Sequence, residues 1–185
     1  AAGGRMLQLI EMFTSHGYGI TFASSASSSE KSFNLNSIGV TTQQIAINDS
    51  SFDDFVRQLN PTLVLFDRFV TEEQFAWRVT QSCPKALKIL DTEDLHFLRK
   101  ARQQALKDAT DVKDANFFTE TAKREIASIL RCDLSLIISE FEMKLLTDTF
   151  AVSKEILYYL PFMVNKLPDS GNFPGFEQRA NFMTI

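Results

Sequence analysis

Short apolar runs alternate with amphipathic stretches along most of this chain. Runs of this kind, four to six residues long, predict β-strands, and apolar residues spaced i, i+3, i+4, i+7 predict helices between them. Met6, Leu9, Ile10 and Phe13 give the first helical face, which ends at Gly17. The predicted strands are 18–23, 44–47, 63–66, 87–90, 134–138 and 156–160.

The predicted helices have recognisable start and stop signals. A hydroxyl side chain followed three residues later by an acidic or amide side chain predicts a capped helix start. Asn60-Pro61 and Cys83-Pro84 mark helix ends, because proline disfavours helical geometry in the residue before it. The predicted capping pairs are Ser51 with Asp54, Thr71 with Gln74 and Ser139 with Glu142, and two further helices are predicted over about 95–107 and 118–130, the latter with Phe118, Ala122, Ile126 and Ile129 on its core face.

Continuously apolar strands that alternate with helices predict a parallel sheet covered on both faces, a doubly wound, Rossmann-like α/β domain. In such folds a glycine-rich turn normally follows a central strand, yet Gly3 and Gly4 stand at the start. We therefore expect the first strand to lie upstream of Ala1. The tail is rich in proline and glycine, which predicts a Rossmann-like domain over 1–165, with a linker and the start of a second domain over 166–185.

Composition narrows the function classes. The 185 residues carry a formal net charge of −4, which argues against a general nucleic-acid-binding protein. No apolar run reaches the roughly 18 residues that a membrane-spanning helix needs. Cys83 and Cys132 are far apart, and the chain has no Cys/His spacing typical of a metal site. We expect plain thiols in a reduced, cytoplasmic setting and no bound metal.

Polar residues follow several predicted strands, where ligands bind in an open parallel sheet. Gly3, Gly4 and Arg5 come first; exposed backbone N–H groups there can hold an anion, although a tight turn without a ligand is the alternative. Asp67 and Arg68 follow the third strand. They form either a self-contained ion pair or part of a ligand-binding cleft.

The segment 91–102 has the highest density of chemically useful side chains. In a helix from Leu95 onward, His96, Arg99, Lys100 and Gln103 share one face. This basic face lies close to the strand ends, where a sugar or a phosphate would bind. The alternative is structural: Asp91 and Asp94 serve as turn and cap residues, and Arg99 and Arg102 form surface ion pairs.

Several of these segments resemble bacterial glycosyltransferases of the GT-B fold, in particular the retaining group, family four. Gly3-Gly4-Arg5 is similar to their opening loop. The run LDTEDLHFLR at 90–99 resembles their DT-x-D-x-H-x-x-R segment and is the most specific part of the likeness. Residues 133–142 resemble the strand and helix start before the domain crossover, and 156–161 resemble the strand that leads into the linker. Residues 179–185 are similar to the first strand of the second domain.

The resemblance implies an acceptor-side domain of an enzyme whose absent second domain binds a sugar nucleotide as co-substrate, without a cofactor. The acceptor is a carbohydrate or a lipid-linked sugar, and peripheral membrane contact is left open. His96 would lie near the reacting centre. The implied donor or substrate contacts are Gly3, Gly4, Arg5, Asp67, Asp91, Asp94 and Arg99.

Transfer in this group usually proceeds with retention and without a metal. The residues that stabilise the leaving diphosphate belong to the second domain. Because this stabilisation usually makes the largest contribution to catalysis, this chain alone is expected to be inactive. The alternative is a non-catalytic flavodoxin-like or receiver-like binding or regulatory domain.

Overall fold

The computed structural model describes residues 2–27, 33–111, 115–164, 175–178 and 180. These residues form two compact units. One contains Ala1–Tyr18 and Phe162–Ile185, and the other contains Gly19–Pro161. Within the described residues, no helix is long and apolar enough to cross a membrane.

The larger unit contains two parallel sheets. Strand β1 (Thr21–Ser24) pairs with β2 (Thr41–Gln44). The second sheet has the order β3-β4-β5-β6, and every neighbouring pair in it is parallel. Its strands are β3 (Leu63–Asp67), β4 (Leu87–Asp91), β5 (Leu134–Ile137) and β6 (Leu157–Tyr159). The predicted Rossmann-like α/β class is confirmed.

Helices connect the strands of the larger unit in the alternating order that the sequence predicts. They are α2 (Ser51–Leu59), α3 (Arg68–Ser82), α4 (His96–Lys107), α5 (Glu120–Arg131) and α6 (Glu140–Lys144), and α6 continues into a π-helical segment at Leu145–Thr149. Short 3-10 helices lie at Leu35–Ile38 and Lys154–Ile156.

Phenylalanine rings and branched aliphatic side chains form the core between these helices and the four-stranded sheet. Phe52 of α2 packs on Phe75 of α3 with ring centroids 4.6 Å apart. On α4, the predicted core residues Leu98, Ala101 and Ala105 are buried. Phe118 was predicted to lie on the core face of a helix, and this is wrong. It precedes α5, and 68% of it is exposed.

The predicted helix starts are right for one of the three capping pairs. Ser139 accepts a hydrogen bond from the Glu142 backbone N–H at 3.2 Å and caps α6. Ser51 is not a cap, because α2 already includes it and its N–H donates to Asp49 Oδ1 at 2.8 Å. Thr71 lies inside α3, since β3 runs directly into that helix at Arg68.

The smaller unit contains α1 (Ala2–Ser15) and a 3-10 helix at Phe176–Gln178. Gln8 Nε2 donates to the Met163 carbonyl at 3.1 Å, and the Arg5 guanidinium lies over the Phe162 ring, 5.6 Å from its centroid. The predicted linker and second-domain strand over 166–185 fall outside the described residues, except for 175–178 and 180.

Candidate functional site

The carboxyl ends of β3 and β4 meet at one edge of the four-stranded sheet. Asp67 pairs in register with Asp91, so the residues that follow these strands are neighbours. Asp91 is fully buried, and the Thr92 hydroxyl next to it donates to the Leu136 carbonyl at 2.9 Å. Asp91 therefore occupies an interior position in which no ligand from solvent reaches it, whereas the loop after Thr92 is partly exposed.

Arg68 links the ends of β3 and β4. Its guanidinium donates to both oxygens of Asp67, at 3.3 and 3.0 Å, and its Nε lies 3.4 Å from Glu93 Oε2. The Asp67–Arg68 ion pair therefore forms, and it extends to the neighbouring strand end. Arg68 and Glu93 both have positive φ values, 65° and 57°. Such backbone conformations are costly for non-glycine residues and are concentrated at functional sites.

Glu93 is a site residue that the sequence did not single out. Its side chain is 12% exposed. Burial raises the pKa of the Glu93 carboxyl above its ordinary value, the nearby Asp67 carboxylate raises this pKa further, and Arg68 opposes both effects. Nothing in the run of acidic residues from Asp91 to Asp94 distinguished Glu93 from its neighbours, because its distinct environment comes from the turn.

Two buried carboxylates from other helices cap the N-terminus of α4. Glu125 of α5 accepts from the backbone N–H groups of His96 and Phe97, both at 3.0 Å. Glu142 of α6 accepts from the Leu95 N–H at 3.0 Å. These bonds satisfy helix donors that would otherwise lack partners, and the negative charges suit the positive end of the helix dipole. The alternative of Asp94 as the cap is wrong, since Leu95 occupies the N-cap position.

Helix α5, which supplies Glu125, is fixed to α3 by two arginine–glutamate pairs. Arg124 Nε donates to Glu73 at 3.0 Å, and Arg131 Nε donates to Glu72 at 2.9 Å. The Glu72 carboxylate is fully buried. These pairs fix the helix that carries Glu125, and therefore the position of the Glu125 carboxylate at the start of α4.

His96 lies at this junction of helices and strand ends. Its Nδ1 is 3.4 Å from Glu125 Oε1 and 3.6 Å from Asp94 Oδ1, and its ring meets Phe69 edge-on at 5.4 Å between centroids. Nδ1 is buried and forms no hydrogen bond with either carboxylate. Two carboxylates at these distances still favour a proton on Nδ1 electrostatically, which leaves the Nε2 lone pair as an acceptor or base. The side chain is 16% exposed, so it is held in place and still reachable.

Arg99 completes the cluster on the solvent side. Its Nε lies 3.3 Å from Asp94 Oδ2, so Asp94 is shared between Arg99 and His96. The Arg99 side chain is 59% exposed, and an ion pair that open to solvent contributes little stability. Of the surface ion pairs that the sequence left as an alternative, the one of Arg99 is present, whereas the Arg102 guanidinium lies over the Phe141 ring at 5.0 Å from its centroid. Arg99 remains accessible to a ligand.

The structure brings Asp67, Asp91, Asp94, His96 and Arg99 to one sheet edge. Gly3, Gly4 and Arg5 belong to the smaller unit, in the first turn of α1. An added Cβ on either glycine would meet no described atom within 4 Å. The described residues contain no group of three or more His, Cys, Asp or Glu side chains that could hold a metal ion.

Glu142 gives a pH-dependent prediction. Burial raises the pKa of its carboxyl above the ordinary value of 4.5, although the Leu95 N–H bond opposes this. The folded state therefore binds this proton more tightly than the unfolded state does. The resulting contribution of Glu142 to the free energy of unfolding is fully present below about pH 4 and is lost as the pH rises through the raised pKa. We expect the stability of Glu142→Gln, relative to the unsubstituted protein, to increase from pH 4 to pH 7. Urea unfolding of both proteins at both pH values measures this difference in the free energy of unfolding. A difference that does not change with pH would contradict a raised pKa of the Glu142 carboxyl.

Comparison with known proteins gives no match: no protein-family profile, no curated protein and no solved structure is similar to this chain.

Proposed function

We propose that this chain is the acceptor-binding part of a GT-B glycosyltransferase that moves a sugar from a sugar nucleotide to an acceptor hydroxyl, with retention. The observation that carries the proposal is His96, held at the carboxyl edge of a parallel sheet with Nδ1 beside Glu125 and Asp94. Ligands of such sheets bind at this edge. The resemblance of 90–99 to the DT-x-D-x-H-x-x-R segment supports this role, because the corresponding histidine of that family lies near the reacting centre.

The geometry supports a defined role for His96. An acceptor hydroxyl becomes a better nucleophile when a base accepts a hydrogen bond from it, and the Nε2 lone pair of His96 is suited to this. When the ring gains positive charge, the carboxylates of Glu125 and Asp94 stabilise it. The same nitrogen can instead accept a hydrogen bond from a hydroxyl of the donor sugar.

The remaining residues fit contacts to charged or polar parts of the substrates. Arg68 and Arg99 present half-exposed guanidinium groups at the sheet edge, to which phosphate or acceptor oxygens can bind. Gly3 and Gly4 lower the helix propensity of the start of α1 relative to alanine, and within the described residues no atom lies close enough to require a glycine at either position. A diphosphate approaching the N–H groups at the start of α1 would explain two glycines there.

The test is an assay of the natural full-length protein with a panel of sugar nucleotides. We expect at least one of them to release its nucleoside diphosphate, and simple sugars or lipid-linked sugars to accelerate the release. Release of nucleoside diphosphate is followed directly, so that the assay does not require the acceptor to be known. If no donor is bound or consumed, the proposal is wrong and a non-catalytic binding domain becomes the better account.

A further inference from the structure

One face of α4 carries a polar side chain on every turn, beginning at the candidate site. His96, Lys100 and Gln104 follow one another at i, i+4 spacing, and Asp108 at the C-cap continues the row. Lys100 Nζ donates to Thr121 Oγ1 of α5 at 3.2 Å, so this row faces α5. The row therefore leads away from His96 along the side of α4 that contacts α5.

The far part of the row opens into a cavity of about 490 Å³ between α4 and the start of α5. Ligand sites commonly have volumes of about 300–1,000 Å³. The α4 row forms one wall, and Asn116, Thr119 and Thr121 lie opposite it. Thr110 and the small side chains of Ala101, Ala105 and Ala115 complete the described lining, which leaves the polar groups accessible.

The polar side chains of the cavity are held in place by bonds that leave their other atoms available. Gln104 Nε2 donates to Asp108 at 2.9 Å, and Asn116 Oδ1 accepts from the Phe118 N–H at 2.9 Å. Within the described part of the chain, Gln104 Oε1 and Asn116 Nδ2 form no hydrogen bond. Lys100 uses one of its three donors for Thr121. The cavity therefore offers positioned donors and an acceptor, which lowers the entropic cost of binding.

These groups favour a neutral, polyhydroxylated ligand. Amides, hydroxyls, one ammonium and one carboxylate supply both donors and acceptors, which a row of sugar hydroxyls can satisfy together. Asp108 disfavours a phosphate or another anion by like-charge repulsion. The described lining residues include no aromatic ring, which disfavours the stacking of a nucleotide base.

We propose that the acceptor is an oligosaccharide that lies along α4, with its reacting end at His96 and its further units in the α4–α5 cavity. This proposal rests on the proposed transferase function. Eight residues separate His96 from Gln104, which is about 12 Å along a helix axis. A single sugar ring does not span that distance, so the site is suited to an acceptor of two or more units.

The test is saccharide binding to the ¹⁵N-labelled natural full-length protein, measured by NMR titration. The probes are neutral linear trisaccharides of glucose, galactose, mannose or N-acetylglucosamine. We expect at least one to shift the amide signals of α4 and of 115–121, and Gln104→Ala to weaken its binding about fivefold or more. Gln58→Ala is the matched control, because Gln58 is an exposed residue of α2 and lies outside the cavity lining. We expect the affinity of this variant to be unchanged.

Two results would overturn the proposal: no trisaccharide binds at millimolar concentration, or Gln58→Ala weakens binding as much as Gln104→Ala. The nucleoside diphosphate assay distinguishes the two proposals, since donor hydrolysis by water needs no saccharide in the cavity. If a donor is hydrolysed but no saccharide binds, the proposed oligosaccharide site is wrong and the proposed transferase function stands. Saccharide binding without consumption of any donor overturns the acceptor role together with the transferase.

Discussion

Replacing Glu125 by alanine is expected to lower the free energy of unfolding by about 3 kcal/mol. Glu125 is 1% exposed, and its carboxylate accepts from the N–H groups of His96 and Phe97. A hydrogen bond to a charged group contributes about 1.5–3 kcal/mol, and a buried donor that loses its partner costs about 1–3 kcal/mol. Equilibrium unfolding in urea measures the loss, and His96 is expected to become less well positioned.

Glu120 of the same helix provides the matched control. Its side chain is 84% exposed and pairs with Lys123, so Glu120→Ala should change stability by no more than about 0.5 kcal/mol. Glu125→Gln keeps one acceptor oxygen and should be intermediate. Similar losses for Glu125→Ala and Glu120→Ala would contradict the role of Glu125 as the cap of α4.

Replacing Phe97 by alanine is expected to cost about 4 kcal/mol, a large fraction of the stability of an ordinary domain. Phe97 is fully buried in the first turn of α4, and its ring meets Phe150 edge-on at 5.2 Å between centroids. Alanine would leave a cavity at position 97, directly next to His96. Guanidinium chloride unfolding monitored by circular dichroism measures the change.

Phe118 contacts the same Phe150 ring, also at 5.2 Å, but is 68% exposed. Phe118→Ala should therefore cost no more than about 1 kcal/mol, because little of its area is removed from water. A cost for Phe118→Ala close to that for Phe97→Ala would mean that the ring is buried in solution. The assignment of Phe118 to the surface, outside the core that contains Phe97, would then be wrong.

The strongest strands were predictable because their residues are mainly apolar, although β4 contains Lys88 and β5 contains Ser135. Strands β3, β4 and β5 lie within one residue of their predicted limits. Strand β2 was predicted three residues too late. All four of its residues are exposed, and Thr41–Gln44 is polar throughout, so the hydrophobic pattern contains no signal for it.

The start of α3 shows a different limit. The sequence rules look for a cap side chain, and Thr71 with Gln74 matches them. In the structure, Arg68 turns the chain from β3 into α3 with a φ of 65°, and its guanidinium is held by Asp67 and Glu93. Neither the positive φ of Arg68 nor its contact with Glu93, 25 residues away, has a local signature in the sequence.

For the candidate site, the sequence located His96 and Asp94 after a strand but did not identify what holds them. The cap of α4 comes from Glu125 and Glu142, 29 and 47 residues away from their partners. Local spacing does not distinguish Glu125, and it identifies Glu142 only as the capping partner of Ser139. Both glutamates gain their role at the start of α4 only when α5 and α6 pack against that helix. The chemistry-bearing residue was therefore predictable from position, whereas its electrostatic environment required the tertiary structure.

The most direct test of the central claim compares His96→Ala with His16→Ala in the nucleoside diphosphate assay of the natural full-length protein. His16 is exposed at the end of α1, with its Nδ1 2.8 Å from the Met12 carbonyl oxygen, and serves as the control histidine. We expect release to fall at least tenfold, about 1.4 kcal/mol of barrier, in folded His96→Ala and to remain unchanged in His16→Ala. Unchanged release by folded His96→Ala would contradict the account, because the residue around which the site is built would then take no part in the reaction.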